Sequence, residues 1–482
     1  MNMNYDCVKN IQNEEINKIL INLCAPNSEL YIVGGYIRDL LINRSCYDRD
    51  YTIAGESAIE LAKKSAEYFN GYFVLLDEDF DIARVVLPDK KHTLDFAGCV
   101  NQNIFDDLKR RDYTINAIAY RIDGSISGLT DPFNGISDIE NKTIRAISEE
   151  NLTDDPLRLL RAYRLASQIG YKIDELTISY INRHKFLINN VSVERINTEL
   201  VKLFEGQNAA HNIKLMKESG LLYEILPELK EQEEVPPNLH HHLKLIDHSI
   251  EVIKQIETNI HSMPDWVKER LNSEIVPNVK IISLLKFAGL LHDLGKPSTW
   301  QIDELGRHRF IKHEDVGAEL SVIPLKRLKL SKLSVKYITK LIKYHLYPSQ
   351  LLKSQDETSE SGSFPSEKAT LRMFRKIGNE TPEEIILAMA DRLSARGPEI
   401  SEDIVNENIK GLRWLLERYR ESIEKVEIPK LLSGYEIMDI LGLSNGPQVG
   451  KIVKTLHEAQ ISGDINTKEE AIAFIKGIYW TS

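Results

Sequence analysis

The feature that most constrains the fold is a short apolar run that breaks at two glycines and is followed by a pair of carboxylates. The run Tyr31-Ile-Val-Gly-Gly-Tyr-Ile-Arg-Asp39 is typical of a strand that leads into a helix, and Asp48 and Asp50 follow it closely. Side chains at positions i and i+2 of a strand point to the same face. Asp48 and Asp50 can therefore face one divalent-metal cluster.

The two glycines and an arginine add a phosphate-binding pattern to these carboxylates. Gly34 and Gly35 permit close approach of the backbone to a phosphate, and Arg38 supplies a planar and permanent positive charge. Each part is common by itself, because a Gly-Gly pair usually forms a turn and an Asp-x-Asp pair usually lies on a solvated strand face. Together with the motifs that follow, they indicate a nucleoside triphosphate held by metal ions beside a sheet.

Two further motifs follow in order along the chain. Asp95 lies in a short strand pattern and can bring a third carboxylate to the same sheet. The run Arg110-Arg-Asp-Tyr-Thr-Ile-Asn-Ala117 then places two cations, an acid and an amide at the opening of an apolar segment. This ordered set resembles the class II tRNA nucleotidyltransferases, that is, the CCA-adding enzymes and bacterial poly(A) polymerases of the polymerase-β superfamily.

The resemblance implies a role for each motif. Asp48 and Asp50 match the family's Mg²⁺-binding catalytic pair. Asp95 lies where the superfamily places a third catalytic carboxylate, and an ordinary strand-end aspartate is the alternative for it. By the same resemblance, the residues of these motifs that would bind the incoming nucleotide are Gly34, Gly35, Arg38, Arg111, Asp112 and Asn116.

A fifth motif, Asp154-Asp-Pro-Leu-Arg158, resembles the one with which this family reads the incoming base. We expect Asp155 and Arg158 on one helix face, where the first accepts from an exocyclic amine and the second donates to a ring acceptor. These two edges distinguish C and A from U and G without a template. A capped helix N-terminus is the alternative, and both interpretations can hold at once. Arg161 and Arg164 continue the same nucleotide-binding stripe.

A second set of residues, in the centre of the chain, resembles the metal site of an HD-domain phosphohydrolase. Its ligands would be His248, His292, Asp293 and Asp391, with His313 and His345 where two-metal members of that superfamily place extra histidines. Imidazole and carboxylate ligands suit a divalent transition metal. We expect a bound metal here, and hydrolysis of a 2′,3′-cyclic phosphate or a phosphomonoester at an RNA end is a further hypothesis.

Length and pattern predict several domains for the 482 residues. Five strand patterns alternate with helical ones up to about residue 138, and helical patterns follow. The expected fold class is an N-terminal α/β polymerase-β-like nucleotidyltransferase head followed by an all-α neck, an HD body and a helical tail. The predicted boundaries are 1–27 for an N-terminal extension, 28–138 for the head, 139–205 for the neck with its base-reading motif, 206–395 for the body, and 396–482 for a tail that resembles an RNA-contacting segment.

Composition narrows the class of protein. The net charge of −11 argues against general coating of nucleic acid but leaves room for local basic stripes. The four cysteines show neither metal-ligand spacing nor a disulfide framework, which favours reduced thiols in the cytoplasm. No apolar run approaches the length of a membrane span. We therefore expect no membrane partner, and the sequence makes no prediction of the oligomeric state.

The function that the resemblance implies is template-independent addition of C and A, from CTP and ATP, to the 3′ end of tRNA. Two alternatives lie within the same class of enzyme. The CC-adding subtype is one, because only residues 97–105 lie where full CCA-adding relatives have a long flexible loop. A poly(A) polymerase is the other. An RNA-binding HD phosphohydrolase with an inert head is the alternative from a different class.

Overall fold

The computed structural model describes residues 11–123, 125, 128–237, 242–353, 364–397, 400–424, 431–461 and 464–480. The chain divides into two compact units, Met1–Pro227 and Glu228–Ser482. The finer division into five domains stays a prediction.

A six-stranded sheet forms the centre of the first unit. The spatial order is β3-β4-β5-β2-β1-β6, and β2 and β5 pair in parallel while the other neighbours are antiparallel. The strands are β1 (Glu29–Val33), β2 (Asp48–Ala54), β3 (Tyr72–Asp77), β4 (Ile82–Val86), β5 (Thr93–Gly98) and β6 (Ala119–Arg121). The first five agree with the strand patterns of the sequence, so the expected α/β head is confirmed. The short strand β6 was not predicted.

The two faces of this sheet differ. Alternate residues of β4 and β5, among them Val85 and Phe96, are buried on one face, against which the helix Ala58–Phe69 packs. On the other face, Tyr31 and Val33 of β1 pack with the helix Ile104–Lys109. The strand register places Asp50 on that same face, because it is the partner of Val33.

Helices complete the first unit. In chain order they are α1 (Glu15–Leu23), α2 (Gly35–Leu41), α3 (Ala58–Phe69), α4 (Ile104–Lys109), α5 (Gly135–Glu140), α6 (Glu149–Asp154), α7 (Leu157–Ile169), α8 (Glu175–His184), α9 (Val193–Glu205), α10 (Ala209–Ser219) and α11 (Leu221–Ile225). A small parallel pair, β7 (Thr143–Ile144) and β8 (Lys172–Ile173), lies among them. The all-helical region expected after residue 138 thus contains short strands as well.

The second unit is built mostly of helices. These are α12 (Leu245–Ile260), α13 (Asp265–Asn272), α14 (Ile281–Leu291), α15 (Lys296–Thr299), α16 (His313–Arg327), α17 (Lys332–Tyr344), α18 (Tyr347–Lys353), α19 (Glu367–Ile377), α20 (Thr381–Ser394), α21 (Glu402–Glu424), α22 (Gly434–Leu441), α23 (Pro447–Ile461) and α24 (Lys468–Trp480). Two hairpins accompany them, β9 (Glu274–Val276) with β10 (Val279–Lys280), and β11 (Trp300–Ile302) with β12 (His308–Phe310). The last three helices enclose a small apolar core of their own, around Ile437, Leu456 and Ile475.

One predicted helix start is wrong in a way that bears on function. A helix that carries both Asp155 and Arg158 on one face would have to include residue 155, but α7 begins at Leu157 and Asp155 has the extended values φ −131° and ψ 92°. The cause is Pro156, because a proline ring disfavours the helical conformation of the residue before it. Asp155 therefore lies in the joint between α6 and α7.

Three predictions fall partly or wholly on residues that the structure does not describe. The first is the start of the N-terminal extension, residues 1–10. The second is the stretch 353–366, whose Ser, Asp and Glu content predicts a surface loop, and the third is the run of histidines from 240, which follows two prolines and predicts a surface turn without a functional role. Within the described part of the chain, the helices include none whose length and apolar character would let it cross a bilayer.

Candidate active site and candidate metal centre

Three carboxylates share one face of the sheet in the first unit. Asp48 and Asp50 alternate on β2, and the parallel register places Asp95 of β5 directly beside Asp50. Thr93 Oγ1 donates to Asp48 Oδ1 at 2.5 Å. The predicted alignment of the Asp-x-Asp pair on one strand face is thus present, and the sequence-predicted Asp95 is its lateral neighbour.

The surroundings of Asp50 are suited to a cation. Burial raises the pKa of Asp50, the guanidinium of Arg111 opposes this shift, and the nearby carboxylate of Asp95 adds to it. A carboxylate that is costly to ionise beside other carboxylates gains from a divalent ion that all of them face. The donor set therefore fits the predicted Mg²⁺ pair at Asp48 and Asp50.

Asp95 has a partner that the sequence did not predict. Both of its carboxylate oxygens accept from Arg84 of β4, Oδ1 from Nε and Oδ2 from Nη2, each at 2.6 Å. Arg84 lies opposite Asp95 in the antiparallel register. A two-bond pair of this kind holds the carboxylate plane in a fixed orientation. Each Asp95 oxygen keeps a second lone pair, so the pair with Arg84 orients the carboxylate without blocking another ligand.

Gly34 lies where no other residue fits. Its φ is +74°, and a Cβ at this position would lie 2.9 Å from Arg111 Nη1 and 3.3 Å from Asp50 Oδ2. The missing side chain leaves the backbone open beside the Arg111 guanidinium and the Asp50 carboxylate. This geometry agrees with the close phosphate approach expected of the two glycines.

A buried chain of polar contacts joins Arg38 to Asp112 and Arg161. Arg38 Nη1 donates to Asn116 Oδ1 at 2.6 Å, and Asn116 Nδ2 donates to Asp112 Oδ1 at 3.0 Å. Arg161 Nε lies 3.0 Å from Asp112 Oδ2. Burial alone would raise the pKa of Asp112, but Arg161 and the Asn116 hydrogen bond hold it below its usual value. Arg38 thus contacts the motif around Asp112, and Asp112 stays ionised.

The two residues of the predicted base-reading pair, Asp155 and Arg158, each have a different hydrogen-bond partner. Arg195 Nη2 of α9 donates to Asp155 Oδ2 at 2.8 Å, and Arg158 Nη1 donates to the Asn151 carbonyl at 2.8 Å. The expectation that both lie on one helix face is wrong, because Pro156 keeps Asp155 outside α7. Both side chains nevertheless reach the same cavity.

That cavity has a volume of about 190 Å³ and gathers most of the predicted site. Its lining consists of Gly34, Gly35, Asp50, Arg111, Asp112, Asn116, Asp155, Arg158 and Arg161. The predicted residues outside the lining are Asp48, Asp95, Arg38 and Arg164. Arg164 instead pairs with Glu199 of α9 at 2.8 Å, with both side chains nearly buried. Its position is that of a structural contact between α7 and α9.

In the second unit, six predicted ligands from several helices converge on one buried place. His248 Nε2 lies 3.0 Å from Asp391 Oδ1 and 3.7 Å from Asp293 Oδ2. Asp293 Oδ2 lies 3.2 Å from His292 Nε2, and Asp293 Oδ1 lies 3.3 Å from His313 Nε2. Three overlapping groups have metal-ligand spacing: His248, His292 and Asp293; His292, His345 and Asp391; and Asp293, His313 and His345.

The histidine tautomers favour a cation at this place. The Nδ1 atoms of His292, His313 and His345 each lie 2.7–2.9 Å from a backbone carbonyl three residues earlier. A carbonyl only accepts, so Nδ1 carries the hydrogen and Nε2 is the ring atom left to take a proton or a metal ion. These buried Nε2 atoms have no hydrogen-bond partner among the described residues. Lone pairs that face carboxylate oxygens need a proton or a metal ion between them.

Burial alone would lower the pKa of His292, but Asp293 raises it above its usual value, so Asp293 favours a positive charge at this ring, as a bound metal ion would supply. Burial, together with His292 and His313, lowers the pKa of His345 to about 3, so this ring is neutral at pH 7. Burial opposes ionisation of Asp293, yet His292 and Lys296 hold its pKa well below the usual value. Neutral imidazole and ionised carboxylate are the forms that bind metal.

Sequence reasoning missed several residues that contact the predicted ones, among them Lys296, Arg84 and Asp107. Lys296 Nζ lies 2.6 Å from Asp293 Oδ2 and its signal was its position three residues after the His-Asp pair. Arg84 had no local signal. Asp107, which is 1% exposed, accepts from both Arg110 and Arg111. The sequence signal for this contact was the position of Asp107 one helical turn before the two arginines.

Three family models match the chain. The poly(A) polymerase head domain matches residues 30–145, the probable RNA and SrmB-binding site of polymerase A matches 170–233, and the HD domain matches 245–396.

Several characterised proteins are similar over nearly the full length. The A-adding tRNA nucleotidyltransferase of Deinococcus radiodurans is 33% identical, over 92% of this chain and 94% of that protein. The CC-adding tRNA nucleotidyltransferase of Thermus thermophilus is also 33% identical, over 94% of each chain. A solved CCA-adding enzyme in complex with CTP has a TM-score of 0.62 at 19% identity, over 97% of this chain and 99% of that one. The Thermotoga maritima CCA-adding enzyme complexed with tRNA has a TM-score of 0.60 at 20% identity, with the same coverage. These two structures share the fold.

Proposed function

The chain belongs to the family of tRNA nucleotidyltransferases and bacterial poly(A) polymerases, and we propose that it transfers nucleotides from CTP or ATP to the 3′ end of tRNA. The observation that carries this proposal is the cavity in which Asp50, Arg111, Asp155 and Arg158 meet. It joins a metal-facing carboxylate, phosphate-binding cations and a base-reading pair at one place. The carboxylates are intact, so an inert head is disfavoured.

We assign metal binding, triphosphate binding and ribose binding to different residues of the site. Asp48 and Asp50 would hold Mg²⁺, which lowers the pKa of the attacking hydroxyl and neutralises charge on the transferred phosphate. The backbone at Gly34 and the guanidinium of Arg111 would bind the triphosphate, since they lie beside Asp50. Asp112 and Asn116 would hydrogen-bond the ribose, with Arg38 and Arg161 keeping them oriented.

Base selection would rest on Asp155 and Arg158. Asp155 accepts and Arg158 donates, which matches the exocyclic amine and ring acceptor that C and A share. Arg195 orients Asp155 through their ion pair. We propose that Arg164 supports this region through Glu199, and that Arg84 holds Asp95 in the orientation in which it faces the metal ions.

The direct test uses tRNA without its CCA end, Mg²⁺ and labelled CTP or ATP. We expect the wild-type protein to extend this tRNA and Asp48→Ala to abolish extension at unchanged thermal stability, because an exposed carboxylate adds little to the core. Absence of extension by folded wild-type protein would contradict the proposal. The alternative of an inert head would be favoured by a different outcome. In that case neither the wild-type protein nor Asp48→Ala extends tRNA, and both show the same phosphohydrolase activity and the same RNA binding.

The number of nucleotides added distinguishes the remaining alternatives. The CC-adding subtype is the first of them, because only residues 99–103 join β5 to α4 and a short connection limits reorientation of the base reader. Relatives of equal identity include an A-adding and a CC-adding enzyme. Sequencing the products from tRNA, and from tRNA that already ends in CC, decides among C, A and CCA addition. Long A-tails on unrelated RNA would instead indicate a poly(A) polymerase.

A second activity is proposed for the HD domain. The six converging ligands support a bound divalent transition metal, and the carboxylate of Asp293 faces two ligand groups with its two oxygens. Such a site suits hydrolysis of a 2′,3′-cyclic phosphate or phosphomonoester at an RNA end. Incubation of metal-loaded protein with RNA that ends in each group is the test, with His292→Ala as the control. Since tRNA is the substrate, we place both activities in the cytoplasm.

A further inference from the structure

The sheet face that carries the candidate metal-binding carboxylates extends beyond them, and apart from the contact of Arg84 with Asp95 this extension has no role in the site described above. Residues that pair side by side across neighbouring strands form a row on one face of the sheet. The row that contains Asp50 continues through Asp95 and Arg84 to Val74 of the edge strand β3. The next row runs from Asp48 through Thr93 and Val86 to Tyr72. We call the group Tyr72, Val74, Arg84 and Val86 the open face.

The open face lies on the opposite side of Asp50 from the cavity. The cavity takes Gly34 and Gly35 from the end of β1, which neighbours β2 on one side. Strands β5, β4 and β3 follow β2 on the other side. In nucleotidyl transfer the attacking and leaving oxygens are roughly in line. If pyrophosphate leaves on the cavity side, the RNA end must approach from the side of β5, β4 and β3.

Arg84 supplies a phosphate-binding cation in the right place. Its side chain is 42% exposed. Asp95 takes its Nε and Nη2 hydrogens, which leaves the Nη1 hydrogens for another acceptor. The bidentate pair also restricts the guanidinium to one orientation, so a phosphate contact costs little additional side-chain ordering.

Tyr72 supplies a stacking surface in the neighbouring row. It is 62% exposed at the edge of the sheet, beside the 40% exposed Val74. An exposed aromatic ring next to a cation is the combination with which proteins bind single-stranded RNA without reading its sequence. A tRNA end is single-stranded and varies in its last unpaired base, so sequence-tolerant binding is what the reaction requires.

We propose that the open face binds the 3′-terminal nucleotides of the RNA acceptor, with Arg84 on a backbone phosphate and Tyr72 stacked on a base. This proposal rests on the proposed nucleotidyltransferase function. It assigns the acceptor strand to one side of Asp50 and the incoming triphosphate to the other.

The test is steady-state kinetics of the full-length protein with tRNA that lacks its CCA end. Arg84→Ala should raise the KM for tRNA about tenfold and leave the KM for CTP within about twofold. Arg84→Lys should recover most of this loss because it keeps the charge. The slope of log affinity for tRNA against log salt should become shallower by about 0.7 in Arg84→Ala, as for one lost phosphate contact. Tyr72→Ala should raise the KM for tRNA about fivefold, and Tyr72→Phe should not.

Matched controls lie on helix α3, which covers the opposite face of the sheet. Lys63→Ala and Tyr68→Ala remove an exposed cation and an exposed aromatic ring there, and both should leave the KM for tRNA unchanged. An Arg84→Ala protein with normal tRNA affinity and a raised Mg²⁺ requirement would overturn the proposal, since Arg84 would then act only through Asp95. If wild-type protein extends no tRNA, the proposed function fails and this inference fails with it.

Discussion

Asp107 fixes Arg111 through a single carboxylate oxygen: Arg111 Nε and Nη2 donate to Asp107 Oδ2 at 3.3 and 3.1 Å. The other oxygen of Asp107 accepts from Arg110. With two of its nitrogens held, Arg111 presents Nη1 beside Gly34 and Asp50. A buried carboxylate thus sets the position of the cation that we assign to the triphosphate.

The first prediction follows from this contact. Asp107→Asn keeps the shape of the side chain but removes the charge, so Arg111 should become less well positioned. We expect the KM for CTP to rise about five- to tenfold and the KM for tRNA to change little. Asp106→Asn is the matched control on the same helix, because the Asp106 carboxylate bonds to Asn101 rather than to an arginine of the site. Equal effects of both substitutions would contradict this role.

The second prediction concerns the contact between Asp155 and Arg195. Arg195→Ala should leave Asp155 without its orienting cation, while Arg158 keeps its bond to the Asn151 carbonyl. We expect a roughly tenfold loss of discrimination between CTP and UTP, with a smaller change in the rate of C addition. Incorporation of UTP and CTP in parallel assays measures this. Lys202→Ala, an exposed cation on the same helix α9, should leave discrimination intact.

Sequence reasoning succeeded where the pattern is local. Alternation along a strand placed Asp48 and Asp50 on one face, and the order of motifs placed Asp112 and Arg158 at the same site. It failed where a neighbouring residue or a distant strand decides the outcome. Pro156 moved Asp155 out of the helix, and the register between β4 and β5 joined Arg84 to Asp95.

The metal centre illustrates the same limit. The resemblance supplied the ligands, but periodicity alone could not show that carbonyls fix the tautomers of His292, His313 and His345. Those carbonyls belong to residues three positions earlier, so the contact depends on how each helix or hairpin ends. Lys296 likewise reaches Asp293 because a turn joins them, in which the Lys296 N–H donates to the Asp293 carbonyl at 3.0 Å.

The third prediction concerns metal content. Because the two oxygens of Asp293 face different histidines, we expect the wild-type protein to bind the proposed divalent transition metal through both sides of this carboxylate. His313→Ala should lower the metal content per chain, and His292→Ala/Asp293→Ala should abolish binding. Elemental analysis of protein dialysed against the metal measures the ratio.

Nucleotide addition provides the control for these variants. The polymerase residues lie in the first unit and the HD ligands in the second, so tRNA extension with CTP should persist in each variant. Loss of extension with retained metal would show that the assignment of the two sites is wrong.

The last prediction concerns a buried acid outside both sites. Glu384, in the first turn of α20, is fully buried and neither carboxylate oxygen has a hydrogen-bond partner among the described residues. Burial, together with the neighbouring Glu383, raises its pKa well above the model-compound value of 4.5. The folded protein therefore binds a proton that the unfolded chain releases above about pH 4.5. This contribution to stability is present below pH 4.5 and is lost as the pH rises toward the folded pKa.

Glutamine does not ionise, so the Glu384→Gln variant should not lose stability at this position as the pH rises. We expect the free energy of unfolding to rise by about 1–3 kcal/mol at pH 8 and to change little at pH 4, because both proteins are then uncharged at this position. Thermal melts at the two pH values measure the difference. Glu383→Gln is the contrasting variant, since Glu383 accepts from Arg270 at 2.5 and 3.1 Å and its neutralisation should destabilise the protein. A Glu384→Gln protein that melts lower than wild type at pH 8 would mean that the buried carboxylate is ionised and has a partner.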